Sequence, residues 1–158
     1  MNCGFNRYDF FCSSAGDDSA DSSAAAVSAA APLVGGARRG DAPATLYWTE
    51  AQDGGDPKAE AEVRDKIFTH EAPFSDDPIP LIDLGLRYGY SRWGSGDLTL
   101  ITTREWSTRK TRTWAISPDH PEKEPKLVFD RLYEDRYSDP GSPVTKINEN
   151  GVSVLVMG

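Results

Sequence analysis

The fold is decided by residues 86–131, which read LRYGYSRWGSGDLTLITTREWSTRKTRTWAISPDHPEKEPKLVFDR. Short apolar and aromatic runs alternate here with breaks rich in Gly, Pro, Asp and Ser, which is typical of strands joined by turns. No window longer than about ten residues keeps the 3.6-residue apolar period of a helix. The stretch therefore predicts four antiparallel strands, near 86–93, 97–106, 111–117 and 126–130.

The same alternation extends outward on both sides of this stretch. The additional strand-like runs are TLYWTE at 45–50, VRDKIFTH at 63–70, PLIDL at 80–84, PVTKI at 143–147 and VSVLVM at 152–157. Asn150-Gly151 before the last run is a strong hairpin signal, and Gly94 to Asp97 lies where a glycine with positive φ would permit a tight reversal. The sequence predicts an all-β fold.

An internal repeat groups these strands into units of about fifty residues, a period typical of β-propeller blades with four strands each. The matching segments are 80–84 with 126–130, 46–50 with 98–102, and 151–155 with 96–100. We predict a partial β-propeller of about two four-stranded antiparallel blades, the most complete at about residues 86–131. A complete small β-sandwich of about eight strands is the alternative.

Residues 1–40 differ in composition from the rest of the chain. Residues 13–31 hold eight Ala and six Ser among 19 positions, so they cannot offset their chain entropy by packing large side chains. We predict a disordered Ala/Ser-rich tail over 1–40 and a partial propeller over 41–158. An organelle transit segment is the alternative for the tail, although acidic residues within it are untypical of such segments.

Composition excludes several classes of function. The 17 Lys and Arg residues against 25 Asp and Glu give a net charge of −8, which repels phosphate backbones, so no nucleic-acid partner is expected. No stretch approaches the roughly 20 apolar residues that span a bilayer, so no membrane role is expected. The two Cys and two His lack ligand-like spacing, so we expect no metal or other cofactor.

No catalytic residue is identified. The string closest to a G-x-S-x-G nucleophile elbow runs from Gly89 to Trp93, but it lacks the second glycine and lies within a strand-like run. We therefore do not expect Ser91 to be a nucleophile. His70 and His120 are interpreted as exposed loop histidines rather than as bases that activate a serine. The chain by itself is expected not to hydrolyse peptides.

Five collinear segments carry a family resemblance: TLYWTEAQDGGDPK at 45–58, LRYGYSRW at 86–93, STRKTRTWAISPD at 107–119, LVFDR at 127–131 and EDRYSDPGSPV at 134–144. Together they resemble the chloroplast-type glutamyl endopeptidases of the prolyl oligopeptidase group of serine peptidases. The resemblance covers residues 41–158. It implies a large enzyme in which an N-terminal β-propeller covers a C-terminal α/β-hydrolase domain with a Ser-Asp-His triad, and it places this segment in the propeller.

The resemblance also implies partners, substrate and compartment. The partners would be the missing propeller blades and the hydrolase domain, the substrates would be peptides cut after glutamate, and the compartment would be the plastid stroma. Two blades cannot close a ring of about 4–8, so we expect a fragment that gates substrate access without catalytic residues of its own. The alternatives are a non-enzymatic β-rich protein-binding module, or a truncated gene model with no independent function.

One basic cluster in this acidic chain supports a functional hypothesis. Four bases lie within nine positions, and they are Arg104, Arg109, Lys110 and Arg112. A solvated hairpin tip is the simpler interpretation. Given the glutamate preference that the resemblance implies, we also consider that Arg109, Lys110 and Arg112 steer acidic peptides, because a guanidinium fork binds a carboxylate bidentately.

Overall fold

The computed structural model describes residues 33–157, and this part of the chain contains ten β-strands. They are β1 (Leu33–Arg38), β2 (Thr45–Ala51), β3 (Asp65–Glu71), β4 (Ile79–Leu84), β5 (Arg87–Ser95), β6 (Leu98–Arg104), β7 (Lys110–Ile116), β8 (Lys126–Leu132), β9 (Thr145–Ile147) and β10 (Ser153–Leu155). None of the described residues forms a helix that could cross a membrane. The all-β prediction is confirmed, and each strand-like run coincides with a strand to within two residues at either end.

The strands form two four-stranded sheets and one hairpin. The first sheet has the order β1-β2-β3-β4, the second has the order β5-β6-β7-β8, and β9 pairs with β10. Every neighbouring pair is antiparallel, so each sheet is a simple meander, and none closes on itself. The predicted pair of four-stranded antiparallel units is therefore confirmed.

The sequence repeat falls on equivalent strands of successive units. Segments 46–50 and 98–102 lie in β2 and β6, which are the second strands of their sheets. Segments 80–84 and 126–130 lie in β4 and β8, the fourth strands. Segment 151–155 leads into β10, the second strand of the third unit. The sequence repeat therefore corresponds to a structural unit whose strands follow one another in the same order.

The first sheet begins earlier than the sequence analysis placed it. Strand β1 lies within the segment 1–40 that we assigned to a tail, and it pairs with β2 through Ala37↔Tyr47 and Arg38↔Leu46. Its glycines resemble linker composition, but a Cβ at Gly36 would lie 3.2 Å from the Cβ of Trp48, so the missing side chain allows two strands to approach. Residues 1–32 of the predicted tail, on which the transit-segment alternative rests, lie outside the described residues.

Five buried aliphatic side chains join the first two sheets. Ile67, Ile82 and Leu84 come from the first sheet, and Ile101 and Ile116 come from the second. Within each sheet these side chains occupy alternate positions facing the other sheet, as the two-residue period of a strand requires. Each contributes roughly 1.5–3 kcal/mol through burial, so this shared core holds the two sheets together.

The faces of the sheets that point away from this core are open. Leu46 of the first sheet and Phe129 of the second are each 40% exposed on these faces. Trp48 and Phe68 stack on the outer face of the first sheet with ring centroids 5.7 Å apart. A complete sandwich places polar residues on its outer faces, so this apolar exposure argues against the sandwich alternative.

A buried ion-pair cluster ties the two sheets together at one end. Arg87, the first residue of β5, donates two hydrogen bonds of 2.6 and 2.7 Å to Asp53 in the β2–β3 loop and one of 2.7 Å to Asp65 in β3. Both carboxylates are fully buried. Asp65 also accepts a hydrogen bond of 2.6 Å from the backbone N–H of Tyr88, and Asp53 pairs with Arg64 at 3.1 Å. Such geometry is what offsets the cost of removing charges from water.

The cluster lowers the pKa of Asp53. Burial alone would raise this pKa, but hydrogen bonds from Arg87 and from the backbone N–H of Gly55, together with the charge of Arg87, outweigh burial. The pKa of the folded state therefore lies below the ordinary value of an aspartate. A carboxyl whose pKa is depressed on folding stabilises the fold above its unfolded pKa, and that contribution is lost as the pH falls through its folded pKa.

A second polar cluster joins all three units at the opposite end. Arg39, in the β1–β2 loop, donates hydrogen bonds of 2.8 Å to Asp41 and to Asp119, which lies in the β7–β8 loop. The guanidinium also lies over the ring of Trp93, 5.1 Å from its centroid. Asn148, in the β9–β10 loop, donates to the carbonyl of Gly40 at 2.9 Å. The loops of three successive units are thereby connected.

The turn at Gly94–Asp97 uses glycine for a reason other than the predicted one. Gly151 has a positive φ, which confirms the hairpin signal at Asn150-Gly151. Gly94 and Gly96 do not have one. A Cβ on Gly96 would instead collide with the side chain of Asp119. Glycine at position 96 therefore leaves room for Asp119, whose carboxylate accepts a hydrogen bond from Arg39.

Replacing Arg87 by Ala should be strongly destabilising, because two buried carboxylates would lose their counter-charge. We expect the free energy of unfolding to fall by about 3–5 kcal/mol, measured by urea denaturation of the 158-residue chain. Lys66→Ala is the matched control, since its pair with Asp83 at 3.2 Å is exposed and should contribute at most about 1 kcal/mol. Equal effects of the two substitutions would contradict the assigned role of Arg87.

Acid should destabilise the fold through Asp53. We expect the free energy of unfolding to be constant above about pH 5 and to decline as the pH falls through about 4 and below. The measurement is urea denaturation across this range for the parent chain, for Asp53→Asn and for the exposed-site control Asp83→Asn. Asp53→Asn should flatten the decline and Asp83→Asn should not; an unchanged slope in Asp53→Asn would refute the assignment.

Candidate functional site

The basic side chains at the hairpin tip between β6 and β7 contact neighbouring aromatic and acidic residues. Arg109 has a φ of 60°, which few non-glycine residues adopt. Its guanidinium lies 4.2 Å from the ring centroid of Trp106 and donates a hydrogen bond of 2.9 Å to the hydroxyl of Tyr133. Its Nε is 3.4 Å from Glu134. The side chain of Arg109 is thus in contact with two aromatic rings and one carboxylate.

The other predicted steering residues share one carboxylate. Lys110 lies 3.5 Å and Arg112 lies 3.0 Å from Asp130 of β8. The structure thus brings Arg109, Lys110 and Arg112 to one end of the second sheet. Together with Glu134, Asp130 leaves this group of three bases with one net positive charge. The local field is therefore weaker than the sequence cluster indicated.

Ser91 and the two histidines do not form a nucleophile–base pair in the described contacts. Ser91 lies in β5 and accepts a hydrogen bond of 3.1 Å from the hydroxyl of Tyr88. Burial raises the pKa of that hydroxyl, so Tyr88 remains protonated and donates. His120 is exposed in the β7–β8 loop, as predicted, 3.4 Å from Asp97 and 3.3 Å from Glu122.

The interpretation of His70 as an exposed loop residue was wrong. It lies in β3 and is half-buried. Its ring packs edge-on against Phe74 at 5.2 Å and lies 6.5 Å from Trp48. Alternation along β3 places His70 on the same face as Phe68, and sequence reasoning missed this because the strand continues up to the turn at Ala72-Pro73.

A cavity of about 440 Å³ opens where the three units meet, and we call it the three-sheet cavity. Arg38, Gly40 and Tyr47 line it from the first unit, and Ser91, Arg92 and Trp93 line it from β5. The third unit contributes Ser142, Pro143, Thr145, Val152 and Ser153. The lining residues therefore include two arginines, two aromatic residues and several serines and threonines. No carboxylate side chain lines it.

The donors of this cavity are short of acceptors. Within residues 33–157, neither Arg38 nor Arg92 has a carboxylate oxygen within 4.0 Å. Trp93 is only 5% exposed, and its buried indole N–H has no hydrogen-bond partner. An indole N–H can only donate. The residues around the three-sheet cavity therefore include two arginines without a carboxylate partner and one tryptophan whose indole N–H is buried.

Sequence reasoning found part of this arrangement. It placed Trp93 in a strand and assigned it to packing between units, and its ring does lie 4.9 Å from that of Tyr47 in the neighbouring sheet. It did not find the cavity, because Arg38 lay in the predicted tail and Arg92 is one base among many. The signal in the sequence that could have indicated this cavity was Arg92 next to Trp93, which the fold buries.

Metal binding finds no support in the described part of the chain. Residues 33–157 contain no group of three or more His, Cys, Asp or Glu side chains placed to hold an ion. Asp53, in the turn at 53–56, is engaged by Arg87 and Arg64. Its buried oxygens therefore serve the ion-pair cluster.

Two curated proteins match the chain over most of its length. A probable chloroplastic glutamyl endopeptidase from Oryza sativa subsp. japonica is 45% identical over 119 residues, which are 74% of this chain and 13% of that protein. Its namesake from Arabidopsis thaliana is 43% identical over 119 residues, 74% of this chain and 12% of that protein. No protein-family model matches the sequence, and no solved structure does.

These matches confirm the resemblance inferred from the sequence. The chain is homologous to a part of proteins named as glutamyl endopeptidases, and it spans about an eighth of their length.

Proposed function

We propose that this chain is a segment of the N-terminal β-propeller of a glutamyl-endopeptidase-like serine peptidase. The observation that carries the proposal is the 43–45% identity to two such proteins over 74% of the chain. The recurring four-stranded meander supports it, because a propeller is built from such units. The open apolar faces support it as well, since each blade buries its faces against the next.

In this proposal the segment controls access and the chemistry lies elsewhere. The remaining blades and an α/β-hydrolase domain with a Ser-Asp-His triad are its partners, and peptides are the substrate. A supporting observation is that the described contacts of Ser91 include a hydrogen bond from the hydroxyl of Tyr88 and none with a histidine. The segment thus forms part of a wall that screens an active site, without catalytic residues of its own.

The proposed compartment is taken from the names of the relatives. Both are named chloroplastic, so we place the intact protein in the plastid stroma. A net charge of −8 favours solubility in that compartment.

A segment exchange tests the proposal. Residues 41–158 of this chain replace the matched segment of the rice relative, and cleavage of glutamate-containing peptides is measured beside the isolated 158-residue chain. We expect the chimera to keep kcat/KM within about threefold of the parent, since propeller blades act through packing and access, and the isolated chain to be inert. The control is a chimera carrying Arg87→Ala, which should fail to assemble.

Three outcomes bear on this test. An active chimera supports the propeller assignment. An isolated chain that cleaves peptides would refute the absence of catalytic residues. A chimera that behaves like its Arg87→Ala control, while the isolated chain folds as a stable monomer, would favour a protein-binding module instead.

The steering hypothesis is tested in the same chimera. Neutralising Arg109, Lys110 and Arg112 to Gln should lower kcat/KM for glutamate substrates by about threefold at low salt, with the effect disappearing as salt screens the field. The expected effect is small because Asp130 and Glu134 already offset two of the charges. Neutralising Lys58, Lys123 and Lys146 removes the same charge elsewhere and serves as the control. Unchanged kcat/KM at low salt would remove the hypothesis.

A further inference from the structure

The face of the second sheet that points away from the aliphatic core carries two arginines around one tyrosine. The pairing register puts Tyr90 and Arg92 of β5 and Arg104 of β6 on this face, opposite to the buried Ile101. The guanidinium groups of Arg92 and Arg104 lie over the ring of Tyr90, 5.2 and 5.8 Å from its centroid. Two positive charges are therefore held against the same aromatic ring.

Neither of these two charges is neutralised within residues 33–157. No carboxylate oxygen there lies within 4.0 Å of Arg92 or Arg104. Arg38 and Arg136 also lack such a partner, but neither lies over an aromatic ring in this part of the chain. Like charges repel, and the weak attraction of each guanidinium to the ring does not cancel them. A single group with two negative charges would neutralise the pair.

The loop between β8 and β9 brings Ser142 to this face. A cavity of about 220 Å³, which we call the outer-face cavity, is lined by Tyr90, Arg92 and Arg104 together with residues 140–143 of the loop. Ser142 and Arg92 also line the three-sheet cavity together. The loop is tied to the sheet beside them, because its Asp139 pairs with Arg131 of β8 at 3.1 Å. Ser142 is therefore held next to two guanidinium groups that lack an anion.

Ser142 is one of two serines in the sequence that precede a proline, and the two differ in accessibility. A proline keeps the residue before it extended and offers no N–H of its own, which is the pattern that proline-directed protein kinases recognise. Ser142 and Pro143 are both exposed. Ser117 is half-buried, Pro118 is buried, and the hydroxyl of Ser117 donates a hydrogen bond of 2.9 Å to the carbonyl of Asp97. Only the first of these two hydroxyl groups is open to a kinase.

We propose that Ser142 is a phosphorylation site whose phosphate is bound by Arg92 and Arg104. A serine kinase supplies the phosphoryl group from ATP. The Oγ of Ser142 forms a bond to the γ-phosphorus, the bond from that phosphorus to the bridging oxygen breaks, ADP leaves, and the hydroxyl proton passes to the catalytic base of the kinase. The product carries nearly two negative charges and three acceptor oxygens at neutral pH, and guanidinium groups bind such a group through paired hydrogen bonds.

The bound phosphate would fasten the third unit to the second. Ser142 lies shortly before β9, and the carbonyl of the intervening Val144 accepts a hydrogen bond of 3.0 Å from the N–H of Val156, which follows β10. A link from Ser142 to β5 and β6 therefore holds the hairpin of the third unit against the second sheet. This inference goes beyond the proposed function, because it adds a modification that strengthens a junction between units, and its test needs no peptidase activity.

The first experiment measures which serine a kinase modifies. The 158-residue chain is incubated with a proline-directed serine kinase and Mg²⁺-ATP, and phosphate at each position is quantified by peptide mass spectrometry. We expect Ser142 to be modified at least about tenfold faster than Ser117, because Ser117 becomes accessible only when its segment opens locally. Ser142→Ala should remove most of the incorporated phosphate and Ser117→Ala should not. Equal rates at the two serines, or no phosphate at Ser142, would overturn the site.

The second experiment measures whether the two arginines bind the phosphate. Phosphoserine is placed at position 142 during translation, and its second pKa is followed by ³¹P NMR, with the same sample in urea as the unfolded reference. Nearby positive charges favour the dianion, so we expect this pKa to lie about one unit below the reference value of about 6, a tenfold change in acidity. Phosphoserine at position 138 is the matched control. It lies in the same exposed loop but outside the cavity, and it should show no such lowering.

Substitutions identify the groups that lower this pKa. Arg92→Gln and Arg104→Gln should each reduce the lowering by about half, and Lys126→Gln, which removes an exposed charge outside the cavity, should leave it unchanged. Arg104 is exposed, so its replacement tests the binding even where Arg92→Gln loosens the sheet. A pKa at position 142 equal to the urea reference, or a lowering that both arginine substitutions leave intact, would overturn the inference.

Discussion

The bond between Arg87 and two buried aspartates is the constraint on which the arrangement of the sheets depends. Asp53 lies in the loop that joins β2 to β3, Asp65 begins β3, and Arg87 is the residue with which the second sheet begins. Neither carboxylate is accessible to water. A buried carboxylate is tolerated only with a partner of good geometry, so the second sheet has to start where Arg87 can reach both.

The opposite end of the sheets is held by a different kind of contact. Arg39 reaches across from the first unit to Asp119 of the second, and Gly96 leaves the space that Asp119 occupies. Between the two ends lies the aliphatic core of Ile67 and its neighbours. Charged contacts thus define the position of each end, while apolar burial supplies the bulk of the attraction.

The same repeated geometry produces both open faces and the three-sheet cavity. The first sheet packs one face against the second sheet and presents Trp48 and Phe68 on its outer side. Where β10 meets β5, the short third unit leaves a polar space lined by Arg38 and Arg92. The chain that carries these surfaces spans about an eighth of the length of the relatives it matches.

The sequence by itself determined the fold class, the strands and the recurring unit. It could do so because strand texture and turn residues act over a few positions, and because the repeat of 46–50 at 98–102 is visible without any contact being known. The segments that resemble glutamyl endopeptidases were equally local, and they were sufficient to identify the relatives.

Only the tertiary structure decided which polar residues act together. The sequence indicated a turn at Asp53, yet its buried carboxylate accepts a hydrogen bond from Arg87, which lies 34 positions away. The sequence placed Arg38 in a predicted tail, yet it belongs to strand β1 and lines the same cavity as Arg92. Asp130 and Glu134 partner the bases of the hairpin tip. The physical reason is that hydrogen bonds and ion pairs depend on distance in space and on exclusion of water, and neither can be read from positions far apart in a sequence.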